Sequence, residues 1–296
     1  MNVYATITQQ IIAQLEAGTI PWRRPWRTRG VPRNLFSLKP YRGINVWLLL
    51  SRPYASPYWL TFRQANEIGG TVRKGEKGTA IVLWKFPDDR PTEDTDTQRE
   101  RTHVAPLVRT YTVFNTEQCL LPQSLTERLA VCEPQPVEPI TSCENVIVDM
   151  PQRPTIEHGG DRAYYAPTLD TVTVPHPSQF VSLEEFYATL YHEICHSTGH
   201  VSRLARPAVM DPPTFASHER GKEELVAEFG AAFLCGYCGI APQTLDNATA
   251  YIAYWVDRLQ KDKALVIQAA SQAQRAVDYI LHTTVPAPGD DVTAES

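Results

Sequence analysis

A proline-rich run near the middle of the chain separates two parts of opposite charge. Three prolines lie within the seven residues from Glu133 to Pro139, and such a run is typical of an extended linker. Residues 1 to 87 hold 13 Lys and Arg against three Glu, whereas residues 88 to 296 hold 15 Lys and Arg against 30 Asp and Glu. A length of 296 residues also suits two domains. We therefore expect a basic domain over residues 1–132, a linker over 133–141 and an acidic domain over 142–282.

Composition and the distribution of apolar residues exclude several classes of protein. With 43% hydrophobic and 21% charged residues, the chain is typical of a globular protein and not of a fibrous or wholly disordered one. Its purely apolar runs fall short of the roughly 20 residues that a membrane span needs, and the first basic residue is Arg23, too late for a secretory signal. Six scattered cysteines suit a reducing compartment. We expect a cytoplasmic protein with no membrane partner, a mobile loop over 88–101 and a disordered tail over 283–296.

Hydrophobic periodicity predicts a mixed α+β fold in the basic part. Apolar residues four positions apart predict an amphipathic helix over residues 3–17, which Gly18 ends. Residues 71–86 alternate in polarity on both sides of a Gly-containing turn and predict a hairpin. A further strand, 108–114, is expected to join the same sheet.

The acidic part is predicted to be mostly helical with a small sheet. Residues 162–175 read as paired strands, and Ser182 is a helix cap, with Glu185 completing a capping box, before a stripe of apolar residues. A second helix is expected from about Glu219, and residues 247–282 are again helical.

The first of these helices carries a metal-binding pattern. It contains His192-Glu193-Ile194-Cys195-His196, the H-E-x-x-H spacing of zinc peptidases. Residues four apart lie on one helix face, so His192 and His196 can bind one ion, while Glu193 lies beside the open coordination position. There it can take a proton from a water that the metal acidifies and pass it to a leaving amine. The alternative is two surface histidines at this spacing by chance, which the capped and otherwise apolar helix disfavours.

The third ligand must come from elsewhere in the chain. His200 lies about 12 Å from His192 along a helix axis, too far to share an ion, and position 202 is Ser202, not the His or Asp of a metzincin. Glu224 and Glu228 project from one face of the second helix, an arrangement that resembles the E-x-x-x-D/E pattern of gluzincins. That resemblance implies Glu224 as the ligand and Glu228 as the carboxylate that orients a metal-bound histidine. Exchanged roles, with Glu228 as the ligand, stay open.

Cys235 and Cys238 form a C-x-x-C motif that has another interpretation. A structural zinc site needs four ligands, and the sequence holds no second close pair of cysteines. We expect buried free thiols, at Cys195 as well.

The basic part combines arginine with tryptophan in a way that favours nucleic acid. Five of the six tryptophans lie there, and no duplex-reading motif is visible. Cationic side chains neutralise phosphates and exposed rings stack on unpaired bases, so the expected partner is single-stranded DNA. Trp47 and Trp84 are instead expected in the core, because apolar residues flank them. The candidate DNA-binding residues are Trp22, Arg23, Arg24, Trp26, Arg27, Arg29, Tyr41, Arg42, Lys74 and Lys77.

Several short runs across nearly the whole chain resemble the ArdC antirestriction family. In the basic part these are Ile7 to Ile12, Pro21-Trp22, Pro25-Trp26, Tyr41 to Asn45, Trp59 to Ala65 and Arg73 to Gly78. In the acidic part they are His192-Glu193, His196, Gly199-His200, Arg203-Leu204, Arg206 and Glu223-Glu224-Leu225.

The resemblance implies a single-stranded-DNA-binding domain followed by a zincin-like metallopeptidase domain, in a protein that protects incoming conjugative plasmid DNA from host restriction. We expect one divalent ion, zinc or alternatively manganese, and a protein substrate that the sequence does not name. Two other functions stay open. One is a DNA-dependent metalloprotease that acts on DNA-bound proteins, and the other is a single-stranded-DNA-binding module whose zincin domain is only structural.

Overall fold

The structure is a computed structural model that describes residues 3–18, 20, 31–85, 107–125, 139–210, 218–240 and 248–283. The expected mobile loop 88–101, most of the linker 133–141 and nearly all of the tail 283–296 lie outside the described residues. None of the described helices is long and apolar enough to cross a membrane.

The N-terminal part is an α+β unit whose main described elements are three α-helices and six strands, with a short 3-10 helix over Thr116–Gln118. The helices are α1 (Val3–Glu16), α2 (Ile44–Leu50) and α3 (Phe62–Glu67). The strands are β1 (Arg33–Asn34), β2 (Tyr58–Thr61), β3 (Thr71–Val72), β4 (Thr79–Lys85), β5 (Leu107–Asn115) and β6 (Cys119–Leu120). The predicted first helix is confirmed: Ile7, Ile11 and Leu15 are buried along one side of α1, and Gly18 follows at a φ of 77°.

The strands of this part form two sheets, which corrects one prediction. Four strands lie in the order β1-β2-β5-β4, and β3 pairs with β6 in a separate two-stranded sheet. The predicted hairpin over 71–86 is therefore wrong, because β4 pairs along all seven residues with β5 and not with β3. The turn between the two strands is held by Gln118, whose carbonyl accepts from Arg73 N at 2.9 Å and whose side chain donates to Lys77 O at 3.0 Å. β3 and β4 leave this turn in different directions, and each pairs with a different strand. The strand predicted over 108–114 does join the four-stranded sheet.

The C-terminal part is mostly helical with a small sheet, as predicted. Its helices are α4 (Pro139–Val148), α5 (Leu183–Ser197), α6 (Pro207–Met210), α7 (His218–Cys238), α8 (Ala248–Lys261) and α9 (Leu265–Ile280). Strands β7 (Thr155–His158), β8 (Tyr164–Ala166) and β9 (Thr171–Val174) lie in the order β7-β9-β8. β8 and β9 are the antiparallel pair expected within 162–175.

One apolar core joins the two parts. Trp47 on α2 packs between Phe229 and Phe233 of α7, at ring-centroid distances of 5.0 Å to each. At the surface of this contact, Arg42 makes an ion pair with the buried carboxylate of Asp278 on α9. Trp47 is buried as expected, while the side chain of Trp84 lies outside the described set. The two parts pack against each other at this contact. The domain bounds expected from the charge distribution, 1–132 and 142–282, stay a prediction.

Candidate metal centre

Helix α5 places two histidines side by side, as its sequence predicts. Ser182 caps the helix by accepting a hydrogen bond from the backbone N–H of Glu185 at 3.3 Å. His192 and His196 follow on one face, and their Nε2 atoms lie 3.2 Å apart. Since the opposite face of α5 is buried in the core, the two rings are held at a defined place on the protein surface.

Helix α7 brings Glu224 to these histidines. Its Oε2 lies 3.5 Å from Nε2 of His192 and 3.6 Å from Nε2 of His196. The close approach of α7 to α5 depends on Gly230, because a Cβ at that position would collide with the sulfur of Cys195. The three donor atoms form the one cluster of metal-ligating side chains found among the described residues.

The spacing of the three donor atoms fits a tetrahedral ion. Two ligands at about 2.0 to 2.1 Å from one ion, at a tetrahedral angle, lie about 3.3 to 3.4 Å from each other. The observed separations of 3.2, 3.5 and 3.6 Å surround this value. Two imidazoles and one carboxylate are also a donor set typical of zinc and of manganese. The residues present therefore fit one divalent ion with an open fourth position.

A buried carboxylate orients one of the histidines. Oε1 of Glu223 lies 3.2 Å from Nδ1 of His196, so an Nδ1–H can donate to it and leave Nε2 for the ion. Arg206 donates to the same carboxylate from Nε at 2.9 Å and from Nη2 at 2.6 Å. Arg206 also donates from Nη1 to the Thr198 hydroxyl at 2.6 Å and from Nη2 to the Cys195 carbonyl at 2.8 Å, which ties this network to the end of α5.

The charges of the site shift three pKa values. Burial opposes a charge on His196, but hydrogen bonds to Glu223 and Glu224 outweigh it and raise the pKa of His196 to about 10. Burial works to raise the pKa of Glu223, yet His196 and Arg206 hold it below its usual range. The pKa of Glu224 is likewise lowered by the two histidines against the effect of burial. Both carboxylates are therefore ionised at neutral pH.

Glu193 lies in a cleft in front of the histidines. The cleft has a volume of about 340 Å³, and its lining residues come from four elements: β8 and the residues beside it, α5, α6 and α7. Glu193 itself is 9% exposed and lines the cleft together with His192, His196 and Glu224. Tyr164 forms part of the opposite wall and is 52% exposed. The cleft therefore brings the Glu193 carboxylate and the three candidate donors to one space.

The structure brings the three predicted donors together, and it adds two residues, Glu223 and Arg206, whose contacts the sequence does not predict. The spacing of Glu223 and Arg206 along the chain carries no signal that they meet. The contact from Glu223 to His196 is the role that was assigned to Glu228. The role of Glu228, which is half-buried on the same helix, stays a prediction.

The other expectations for this part can be compared directly with the structure. His200 is not in the cluster of donors; its Nδ1 lies 2.8 Å from the Ser202 hydroxyl. Cys195, Cys235 and Cys238 are buried free thiols, as predicted.

The candidate DNA-binding residues fall into three groups. Trp22, Arg23, Arg24, Trp26, Arg27 and Arg29 lie outside the described residues. Lys74 and Lys77 are exposed on the turn between β3 and β4. Tyr41 packs partly against the cluster of Leu49, Trp59, Ile81 and Val113, and Arg42 is engaged with Asp278. The structure thus describes four of the ten residues, and the DNA-binding role of all ten stays a prediction.

Comparison with known proteins gives two family matches. Residues 1–114 match the family described as the N-terminal domain of anti-restriction factor ArdC. Residues 145–272 match the family described as zincin-like metallopeptidase.

Relatives match along nearly the whole chain. A protein named DNA primase TraC, from Escherichia coli, is 35% identical over an alignment of 299 positions, which covers 93% of this chain and 26% of the primase. A second TraC from the same species is 34% identical and is covered over 20% of its length. The chain therefore spans about a quarter or a fifth of the primases it matches. The Sinorhizobium fredii protein y4eC is 33% identical, with 94% of this chain and 91% of that protein covered.

Two solved structures share the fold. Both are crystal structures of antirestriction ArdC protein from the R388 plasmid, and both are 35% identical to this chain. The metal-free form has a TM-score of 0.70, with 95% of this chain and 97% of that chain covered. The Mn(II)-bound form has a TM-score of 0.69, with 95% and 98% covered. The Mn(II) in this relative and the zincin-like match indicate that the site takes a divalent metal.

Proposed function

The chain belongs to the ArdC family of anti-restriction factors, and from this premise we propose that it is a metal-dependent peptidase that protects incoming plasmid DNA from host restriction. The peptidase proposal rests on the cluster of donor atoms from His192, His196 and Glu224, with Glu193 in the same cleft. Zinc is the ion we favour, because three protein ligands and an open fourth position are typical of catalytic zinc sites; manganese is the alternative.

The residues of the cleft have separate tasks in this proposal. His192, His196 and Glu224 hold the ion, which supplies polarisation of a peptide carbonyl and lowers the pKa of a nearby water. Glu193 accepts a proton from the attacking water and delivers it to the leaving amine. Glu223 accepts the Nδ1–H of His196 and keeps that ring in the orientation that the ion needs.

Single-stranded DNA is the second part of the proposed function. Its support is the excess of Lys and Arg in residues 1–87 and the exposed Lys74 and Lys77. Binding to transferred single-stranded DNA would place the peptidase cleft near proteins on that DNA, such as a host nuclease. A protein that only binds DNA, with an inert zincin domain, is the competing proposal, and the Glu193 carboxylate kept in an open cleft argues against it.

The proposal is tested by a cleavage assay on the full chain with single-stranded DNA present or absent. Protein-bound plasmid DNA from a restricting host supplies candidate substrates, and one divalent ion is added at a time. We expect cleavage by the wild type and at least a hundredfold slower cleavage by Glu193→Ala. Glu193→Ala should still bind the ion, whereas His192→Ala should not. Equal cleavage by both variants and the wild type would show that this site is not the peptidase.

A further inference from the structure

One face of the four-stranded sheet, here called its outer face, is exposed over part of β4 and β5. Ala80 on β4 lies opposite Thr112 on β5, and both are exposed. Because alternate residues share a face of a strand, Thr110 and Phe114 lie on this same face of β5. Thr110 is exposed and Phe114 is half-buried. Val82, opposite Thr110 on this face, and Leu60, opposite Phe114, are buried, so the exposed part is limited to Ala80, Thr110 and Thr112 among the described residues.

Two aromatic rings stand at one end of this face. Phe62, the first residue of α3, is 56% exposed, and its ring centroid lies 6.5 Å from that of Phe114 in an edge-on arrangement. Gly78 leaves the surface beside these rings without a side chain. A Cβ at this position would collide with the methyl group of Thr112 and lie 3.0 Å from the ring of Phe114. A planar ligand can thus approach the ring of Phe62 over Gly78, where no side chain stands in the way.

Cations surround the same end of the sheet. Lys74 and Lys77 are exposed on the turn that leads into Gly78, and Arg63 follows Phe62. Arg63 pairs with Glu67 at 2.8 Å, but this exposed pair is worth little and can be replaced by a phosphate. The acidic residue of the turn, Glu76, accepts a hydrogen bond from Gln118 at 2.9 Å and so points toward the protein.

The face continues into a groove at its other end. Helix α1 overhangs β4 and β5 there, and Thr6, Gln10, Ala80 and Thr110 help to line a groove of about 200 Å³. Thr6 and Gln10 are exposed on the helix side of this groove. Ile7, Ile81 and Val82 line the same groove, so its lining is mostly apolar. The exposed part of the face thus has rings and cations at one end and an apolar groove at the other.

We infer that the outer face of β4 and β5, with Phe62 as its stacking ring, is a binding site for single-stranded DNA. Exposed rings stack on unpaired bases, and cations beside them neutralise the phosphates of the DNA. The small residues on the exposed part of the sheet leave room for the DNA strand. A duplex cannot offer its base faces to Phe62. The inference rests on the DNA-binding part of the proposed function, and it assigns to that function residues other than the Trp22 to Arg29 segment.

The test measures binding of the full chain to a fluorescent oligothymidylate of about 20 nucleotides, by anisotropy at several salt concentrations. Phe62→Ala should weaken binding by about fivefold or more, with little change in salt dependence. Thr112→Glu should also weaken it, because it places a carboxylate on the face where the phosphates of the DNA would lie. Lys74→Ala with Lys77→Ala should reduce the salt slope by about 1.4, which is the value for two phosphate contacts on a single strand.

The matched control is Phe36→Ala. Phe36 is 49% exposed and lies on the turn after β1, at the opposite edge of the sheet, so this variant should bind as the wild type does. Thermal unfolding of each variant verifies the fold. If Phe62→Ala and Thr112→Glu bind the oligonucleotide as the wild type does, this site is wrong, although the protein still binds DNA. An equal loss in Phe36→Ala would overturn it as well, and a wild type that binds no oligonucleotide would remove both the site and the DNA-binding proposal.

Discussion

Arg206 donates two hydrogen bonds to the carboxylate of Glu223, and through it acts on His196. Both Arg206 and Glu223 are buried, so the pair would be costly without its partners. The end of α5 supplies these partners through Thr198 and the Cys195 carbonyl. The orientation of His196, a candidate metal ligand, is therefore set by an ion pair between α7 and the segment that links α5 to α6.

We expect Glu223→Gln to weaken metal binding by about 10- to 100-fold, because the amide orients His196 less well and leaves the buried Arg206 without its counter-charge. The matched variant is Glu228→Gln on the same helix, which tests the alternative orienting carboxylate. Isothermal titration with Zn²⁺ and with Mn²⁺ measures both. A larger loss in Glu228→Gln than in Glu223→Gln would contradict the role of Glu223.

Arg203 anchors the end of α5 to the turn between β8 and β9. Its fully buried side chain donates to the Ser197 carbonyl at 2.7 Å and pairs with Asp170. We expect Asp170→Asn to lower the free energy of unfolding by about 1 to 3 kcal/mol, since a buried cation loses its counter-charge. Asp170 is itself 34% exposed, so solvent screening favours the lower end of this range.

The same variant should show a defined pH dependence. Hydrogen bonds from Arg203, opposed by burial, lower the pKa of Asp170 from its ordinary 3.8. A lowered pKa stabilises the fold at pH values above the ordinary one, and this contribution is lost as pH falls through the folded value. Denaturant unfolding at pH 7 and at pH 3 should therefore show a difference between wild type and Asp170→Asn that is full at pH 7 and smaller at pH 3. A constant difference would contradict the ion pair.

Trp47 makes the stability of the two parts depend on each other. We expect Trp47→Ala to cost about 3 to 5 kcal/mol, because it leaves a cavity against Phe229 and Phe233. Since α7 also carries Glu224, we expect metal binding to be lost in the same thermal transition that exposes the N-terminal core. Calorimetry of the wild type should show one transition, and two well-separated transitions would show that the parts are independent.

Asn45 closes the outer edge of β4. Its side chain accepts from Val82 N and donates to Val82 O, both at 2.7 Å, and so takes the place of a neighbouring strand. Asn45→Asp keeps the acceptor but sets an oxygen against the Val82 carbonyl, and it should cost about 1 to 3 kcal/mol. Asn45→Ala leaves both backbone groups unpaired and should cost a similar amount. Urea unfolding measures both, and a neutral Asn45→Asp would show that the donor contact contributes little.

Local geometry explains why much of the metal site was predictable. His192 and His196 are four residues apart on one helix, and a helix of this kind places them together whatever surrounds it. The Ser182 cap and the apolar stripe are local signals of the same kind, and both are confirmed. Glu224 was proposed as a donor through the resemblance to gluzincins, and the spacing alone left Glu228 as an alternative.

Tertiary packing decided what the local patterns left open. Adjacent residues on a helix differ by about 100° in direction, so the rotation of α7 against α5 determines that Glu224 meets both histidines while Glu223 meets Nδ1 of His196 and Arg206. The spacing of residues along the sequence does not specify this rotation of α7 against α5. The partner of β4 was equally undetermined, because its alternation suits any neighbour and only the turn anchored on Gln118 directs it to β5. The sequence by itself determined which side chains could bind a metal, and the packing of distant segments decided which carboxylate lies beside both histidines and which one contacts Nδ1 of His196.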